Sequence, residues 1–197
     1  MIVFTPILES ELKEKPSIPK YDGIKMSLEE FLATELDDQG YKYEWNDGLL
    51  EADKKMKENE RKIYRNINRK FVQTNAFREG YELMAEADCN LKKLNKLRRP
   101  DISIFSKEQI EKPETSQEAP QIAIEILSPS NSIVEEEKKI NEYFYSGCKI
   151  VWHIFPELKI VKIYSSTKLV RVCTDNDVCN FGDVIPDFQI SVNDVFD

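Results

Sequence analysis

The stretch QIAIEILSPS, residues 121–130, decides how the chain is read. Side chains alternate across a strand, so Ile122, Ile124 and Ile126 share one face while Ala123, Glu125 and Leu127 share the other. Both faces are otherwise apolar, as in an interior strand covered on both sides. Glu125 then sits where an ionised carboxylate is costly unless it is paired or bound to a cation. RRPDISIF, residues 98–105, poses the same problem one strand earlier. Ile102 and Ile104 take one face; Asp101, Ser103 and Phe105 take the other. If the two strands are neighbours facing the same way, two carboxylates converge. Close carboxylates repel, so they share a proton or hold a cation. Hard oxygen donors select Mg²⁺, Mn²⁺ or Ca²⁺. The competing reading is structural: Glu125 pairs with Arg98 or Arg99, and Asp101 caps a strand end.

After SPSNS, the pattern predicts a helix over about 132–146. Ser132 and Glu135 have capping-box spacing, and Gly147 suits the C′ position. The expected apolar stripe is Ile133, Ile140 and Phe144, with Tyr143 at its edge. Lys139 and Tyr143 are four apart, as are Glu135 and Lys139, so each pair shares a face. A lysine packed over two strand acids could orient a water molecule. The competing reading is an exposed lysine, as most helical lysines are.

Further out, MSLEEFLATE reads as a short helix with Ser27 and Glu30 as a capping box. YKYEWNDGLLEA, 41–52, reads as a hairpin about an Asn-Asp-Gly turn. Residues 58–76 read as a helix with Ile63, Ile67 and Phe71 inward and Arg61, Arg65 and Arg69 on another face. Strands are expected at 81–91 and 101–105, then a polar surface linker, SKEQIEKPETSQEAP. KIVWHIF and KIVKIYSS form an antiparallel pair about Pro156-Glu157, KLVRVCT adds a strand, and the tail ends in a helical turn. Residues 1–25, punctuated by proline and Gly23, form an N-terminal arm on a domain spanning 26–197. The class is α/β or α+β with a mixed central sheet.

At 197 residues, 41% hydrophobic and 32% charged, the composition is globular. No run of about 18 apolar residues suggests a membrane span. The N-terminus lacks the basic segment and cleavage site of a signal peptide. Four cysteines without a CxxC pair, and one histidine, argue against zinc and for reduced thiols in the cytoplasm. The net charge of −8 argues against a protein that coats nucleic acid. Yet residues 54–70 hold eight Lys or Arg against Glu58 and Glu60, and 92–99, with Lys92, Lys93, Arg98 and Arg99, hold five basic residues and no acid. Such patches either receive a polyanion or simply solvate a surface.

Taken in order, RPD at 99–101, EILSPS at 125–130, Lys139 with Tyr143, Gly147 and VWHIFPE at 151–157 resemble the Uma family. MSLEEFL and YEWNDGLLE upstream, and GDVIPDFQISVNDVF at 182–196, extend the resemblance over about 26–196. These are bacterial restriction-endonuclease-like proteins with a PD-(D/E)XK nuclease fold. The resemblance implies a mixed central β-sheet flanked by helices. It also implies Asp101 and Glu125 as metal ligands, with Glu44 as an added ligand. The lysine that usually lies two residues after the Glu is Leu127 here, and its role passes to Lys139. Glu60 stands where the family often has a histidine, and is a plausible metal-site residue. Glu135 stands for an Asp, and Phe155-Pro156 for Asp-Pro.

The expected function is a Mg²⁺- or Mn²⁺-dependent DNA endonuclease that hydrolyses phosphodiester bonds, working as a homodimer. Asp101, Glu125 and Lys139 would carry the chemistry, and Arg61, Arg65 and Arg69 with the 92–99 basic loop would grip the backbone. Two rivals stay open. One is a nuclease-fold protein that binds nucleic acid or a protein partner without cutting. The other is a plain ion-pair cluster that binds no metal.

Overall fold

Alternation of apolar side chains builds the centre of the molecule. The computed structural model describes residues 18–111 and 119–197. Residues 1–17 of the expected arm and 112–118 of the polar linker lie outside them. The strands are β1 (Tyr41–Asn46), β2 (Leu49–Lys54), β3 (Glu82–Ala85), β4 (Cys89–Leu91), β5 (Lys96–Arg98) and β6 (Ile102–Phe105). They continue with β7 (Ile122–Ile126), β8 (Ile150–Phe155), β9 (Ile160–Ser166), β10 (Leu169–Thr174), β11 (Val178–Phe181) and β12 (Ile185–Ser191). The α-helices are α1 (Leu28–Ala33), α2 (Glu58–Phe71), α3 (Asn75–Arg78), α4 (Lys107–Glu111), α5 (Ile133–Ser146) and α6 (Val192–Phe196).

Among the described residues, a six-stranded sheet runs in the order β10-β9-β8-β7-β6-β3. Only β7 and β8 in it are parallel, joined by the crossover helix α5; the other pairs are antiparallel. The sheet is therefore mixed, as expected. One face presents Ile102, Ile104, Ile122, Ile124, Ile126, Trp152 and Ile154, and packs against α2 and the β11-β12 hairpin through Ile63, Ile67, Phe71, Phe181 and Phe188. The opposite face packs Ala123, Val151 and Tyr164 against Ile140 and Tyr143 of α5. This is the face that carries Asp101 and Glu125.

A four-stranded sheet, β2-β1-β5-β4, stands over that second face. In β1, Tyr43 and Trp45 bury with Phe31, Leu50 and Leu97, so Lys42 and Glu44 point the other way. Asp47 and Gly48 both have positive φ (48° and 89°), the geometry of a type I′ hairpin turn. Residues 20–26 are strapped to the hairpin by Gly23 N–H to Leu50 O (2.8 Å) and Met26 N–H to Gly48 O (2.9 Å).

Five local expectations change. Residues 107–111, expected within the polar linker, form the short helix α4, because Ser106 and Gln109 cap its start reciprocally: the Ser106 N–H donates to Gln109 Oε1 and the Gln109 N–H to Ser106 Oγ. The helix expected over 58–76 stops at Phe71, because the Thr74 hydroxyl bonds the Phe71 carbonyl and accepts the Phe77 N–H, starting α3. The strand expected over 81–91 divides between the two sheets as β3 and β4. Residues 96–98, expected within a basic loop, form β5 between β1 and β4. Ser132 caps α5 by position but makes no side-chain cap bond, whereas the Ser27–Glu30 box is complete.

Candidate active site

The β6–β7 pairing places Ile102 opposite Ile124. One step further along the same register sets Asp101 opposite Glu125, on one face. Asp101 Oδ2 accepts the Ile126 N–H at 2.8 Å, which locks the acid to the neighbouring strand. Its Oδ1 accepts from Lys42 Nζ at 2.7 Å. Glu125 is buried and accepts the Tyr143 hydroxyl at 2.6 Å. Arg98 and Arg99, its rival partners from sequence, lie elsewhere.

The inward face of α5 is Glu136, Lys139, Ile140 and Tyr143. Ile133, expected in the buried stripe, is 80% exposed. The helix covers a polar cleft, so its polar residues turn inward and its first apolar residue turns out. Lys139 is buried, with Nζ 3.1 Å from Asp53 Oδ2 and 3.7 Å from Glu44 Oε2. Glu135 is exposed and pairs with Lys138; Glu136 is the acid that enters the cleft.

The cleft has a volume of about 210 Å³ and is lined by Asp53, Asp101, Glu125, Glu136 and Lys139, with exposed Lys54 and Lys57. Burial pushes Glu125 up to about 8, with Asp101 and Glu136 adding repulsion and Lys139 opposing it. Burial also raises Asp101 and Glu136. Lys42 and Lys139 go up as well, because the surrounding acids outweigh the burial that would lower them. Acids and ammoniums are thus packed into a poorly hydrated space with carboxylates in excess. One oxygen, Glu136 Oε2, is buried without a hydrogen-bond partner.

Glu44 is placed differently from its expected role. Its Oε2 takes Arg98 Nη1 at 2.7 Å and its Oε1 takes the Arg99 N–H at 2.7 Å. Burial would raise its pKa, but Lys139 and Arg98 hold it down to about 2. It anchors Arg98, which also reaches Glu51 and Glu142. Arg98 is therefore buried, and Arg99 packs over Phe31 and pairs with Asp88. Neither is an open cation for a phosphate. Glu60 lines the cleft, with its Oε2 accepting the Lys57 N–H at 2.6 Å. Arg61, Arg65 and Arg69 are exposed along α2, Arg65 pairing with Glu58, and Lys92 and Lys93 are exposed on the turn between β4 and β5.

Sequence reasoning overlooked Lys42, Asp53 and Glu136. Lys42 and Asp53 are register partners across the β1-β2 hairpin. The signal was present: Tyr43 and Trp45 claim one face of β1, which assigns Lys42 to the other.

A mixed sheet with an Asp at one strand end, a Glu on the next and a lysine on the crossover helix is nuclease-like architecture. The chain belongs to the family described as "Uma2: Putative restriction endonuclease", whose model matches residues 28–193. It is also similar in fold to a crystal structure described as "a putative nuclease belonging to DUF820 from Anabaena variabilis ATCC 29413". That match has a TM-score of 0.71 and 22% identity, and covers 87% of this chain and 97% of the other. No curated protein matches the chain. Among the described residues, no helix is long and apolar enough to cross a membrane.

Proposed function

We propose that the protein is a metal-dependent DNA endonuclease that hydrolyses phosphodiester bonds. The observation that carries this reading is the register that sets Asp101 against Glu125 with Lys139 leaning over the same cleft. The donor set suits a hard divalent cation such as Mg²⁺ or Mn²⁺. Carboxylates outnumber ammoniums there, burial raises three of the acids, and one acidic oxygen has no partner. Asp101 and Glu125 would hold the ion, with Glu136 and Asp53 within the same cleft; Glu60 lines it too, and Glu44 would act through Arg98. When bound, the ion supplies Lewis acidity, lowering the pKa of a water ligand and drawing charge from the phosphate.

The chain's own residues have separable tasks. Tyr143 holds Glu125 by its hydroxyl. Lys139, positioned by Asp53 and Glu44, orients the attacking water or stabilises charge developing on the phosphate. Lys54 and Lys57 flank the cleft, and Arg61, Arg65 and Arg69 extend the cationic surface along α2, the setting for backbone contacts. The four cysteines are free and buried, which suits a reducing cytoplasm. Cutting both strands calls for two sites, hence a homodimer; a solution mass equal to one chain would rule that out.

Plasmid cleavage with Mg²⁺ or Mn²⁺ tests the proposal. Wild type should cut, and Asp101→Ala and Lys139→Ala should each lose about 10²–10³-fold or more. Folded wild-type protein that cuts with neither ion would overturn it. A second reading, a nuclease-fold protein that binds without cutting, is favoured by one observation: Lys42 Nζ lies 2.7 Å from Asp101 Oδ1, so an ammonium already neutralises part of the acid pair.

A further inference from the structure

Beside the carboxylate cleft lies a second cavity of about 470 Å³. Leu127, Asn131 and Glu136 line both, so the two share a wall. Its size falls within the range of small-molecule pockets, about 300–1,000 Å³. The lining is aromatic and aliphatic, from His153, Phe155, Leu158 and Tyr164. His153 meets Tyr164 edge to face, with ring centroids 5.2 Å apart and planes at 65°, and stands 6.3 Å from Phe155. Lys162 Nζ lies 5.1 Å from the Phe155 ring centroid. Ile133 and Leu158 are exposed on the same lining.

One polar atom in this lining, outside the carboxylate cleft, is buried without a hydrogen-bond partner: His153 Nε2. Its residue is only 2% exposed. Buried polar atoms are nearly always satisfied, so this one marks where a ligand's polar edge would fit. Burial, with Lys162 and Lys139 nearby, keeps His153 neutral, its pKa lowered to about 4. A neutral imidazole can accept at one nitrogen and donate at the other. His153 is the β8 register partner of Glu125, so this cavity begins about one strand spacing, ~4.8 Å, from the acid pair.

A phosphate does not suit this lining, which is mostly apolar and sets Glu136, Glu137 and Glu157 against a single cation, Lys162. A flat, π-bearing ring with a hydrogen-bonding edge does. We propose that the cavity receives one nucleobase, turned out of its stack, from the strand whose phosphodiester lies over Asp101 and Glu125. The inference rests on the nucleic-acid reading above and adds the substrate form. Extruding a base from intact duplex is costly, and least so from single-stranded or mismatched DNA. Melted or distorted stretches of duplex, as in a supercoiled plasmid, are therefore cut in preference to relaxed duplex, held by base–aromatic contacts that tolerate sequence.

The test is saturation-transfer NMR on the full chain in EDTA, with each of the four deoxynucleoside 5′-monophosphates and, as control, deoxyribose 5-phosphate. Base protons should receive more saturation than sugar protons, and the control should receive little. Leu158→Asp, at an exposed position, should weaken nucleotide binding tenfold or more while the protein stays folded. His153→Gln, which keeps a donor and an acceptor, should retain more binding than His153→Leu. Nucleotides binding no better than the control, or equally well to Leu158→Asp, would overturn the proposal. Cleavage assays run alongside separate the two ideas. Cutting without base binding removes the pocket and leaves the hydrolase; base binding without cutting does the reverse.

Discussion

Lys42 Nζ lies 2.7 Å from Asp101 Oδ1, so the acid pair already contains an ammonium. That ammonium offsets part of the repulsion between Asp101 and Glu125, and it competes electrostatically with any added cation. Lys42→Met should therefore do two things. In EDTA it should destabilise the fold by about 3–5 kcal/mol, since it strands a buried acid. With Mn²⁺ it should recover more stability than wild type does. Thermal melts of both proteins with and without Mn²⁺ decide this; equal Mn²⁺ shifts would mean that Lys42 does not compete with the ion, and no shift in either would mean that the pair holds no metal.

The raised acids give the fold a pH dependence of known sign. Glu125 rises from 4.5 in its ordinary state to about 8 when folded, chiefly through burial. An acid whose folded pKa is raised binds its proton more tightly in the native state. Its stabilising contribution is complete below about pH 4.5 and is lost as pH rises through about 8. Asp101 and Glu136 shift in the same direction. His153, lowered from 6.5 to about 4 by burial, has the opposite slope, which is complete by about pH 6.5. In EDTA, denaturant midpoints should therefore fall between about pH 6.5 and 8.5, and Glu125→Gln should flatten much of that slope. A wild-type midpoint that climbs over this range would contradict the buried acid pair.

Tyr143 is the hydrogen-bond donor to Glu125. Tyr143→Phe keeps the ring in the core beneath α5 and removes only that bond. Leaving a buried carboxyl oxygen unsatisfied costs about 1–3 kcal/mol, so the urea midpoint should drop with an unchanged slope. A variant as stable as wild type would mean that Glu125 finds another donor.

These side chains also show what a sequence can disclose about such a site. Asp101 and Glu125 stood out because each interrupts an apolar alternation, and alternation is a local signal. The mixed character of the central sheet followed from the run of strands and helices, and the β1-β2 hairpin from its Asn-Asp-Gly turn. Strand β5 carried no such signal, because Lys-Leu-Arg has little strand character of its own; it forms by pairing with β1 and β4, residues distant in sequence. The face of α5 was misread for a related reason. A hydrophobic stripe marks the buried side only where the neighbour is apolar, and here Lys139 and Glu136 face a charged cleft. Arg98 looked like a phosphate grip in a basic run. Its burial depends on Glu44, Glu51 and Glu142, which three other elements bring to it.

The basic residues should accordingly divide into two classes by experiment. Arg98→Leu strips a buried cation from Glu44 and should destabilise the fold by about 3–5 kcal/mol. Arg65→Ala and Arg69→Ala remove exposed side chains, and each should change stability by no more than about 0.5 kcal/mol. On a DNA-binding surface the exposed pair should behave differently again. A neutralised phosphate contact contributes about 0.9 to the slope of log affinity against log salt. Removing both arginines should then reduce that slope by about 2 and weaken binding alike for unrelated sequences. Fluorescence anisotropy with a short labelled DNA, measured across a salt series in EDTA, reads both quantities. A double variant with the wild-type slope would mean that α2 does not touch the DNA backbone, moving the contact surface to Lys54, Lys57 and the turn carrying Lys92 and Lys93.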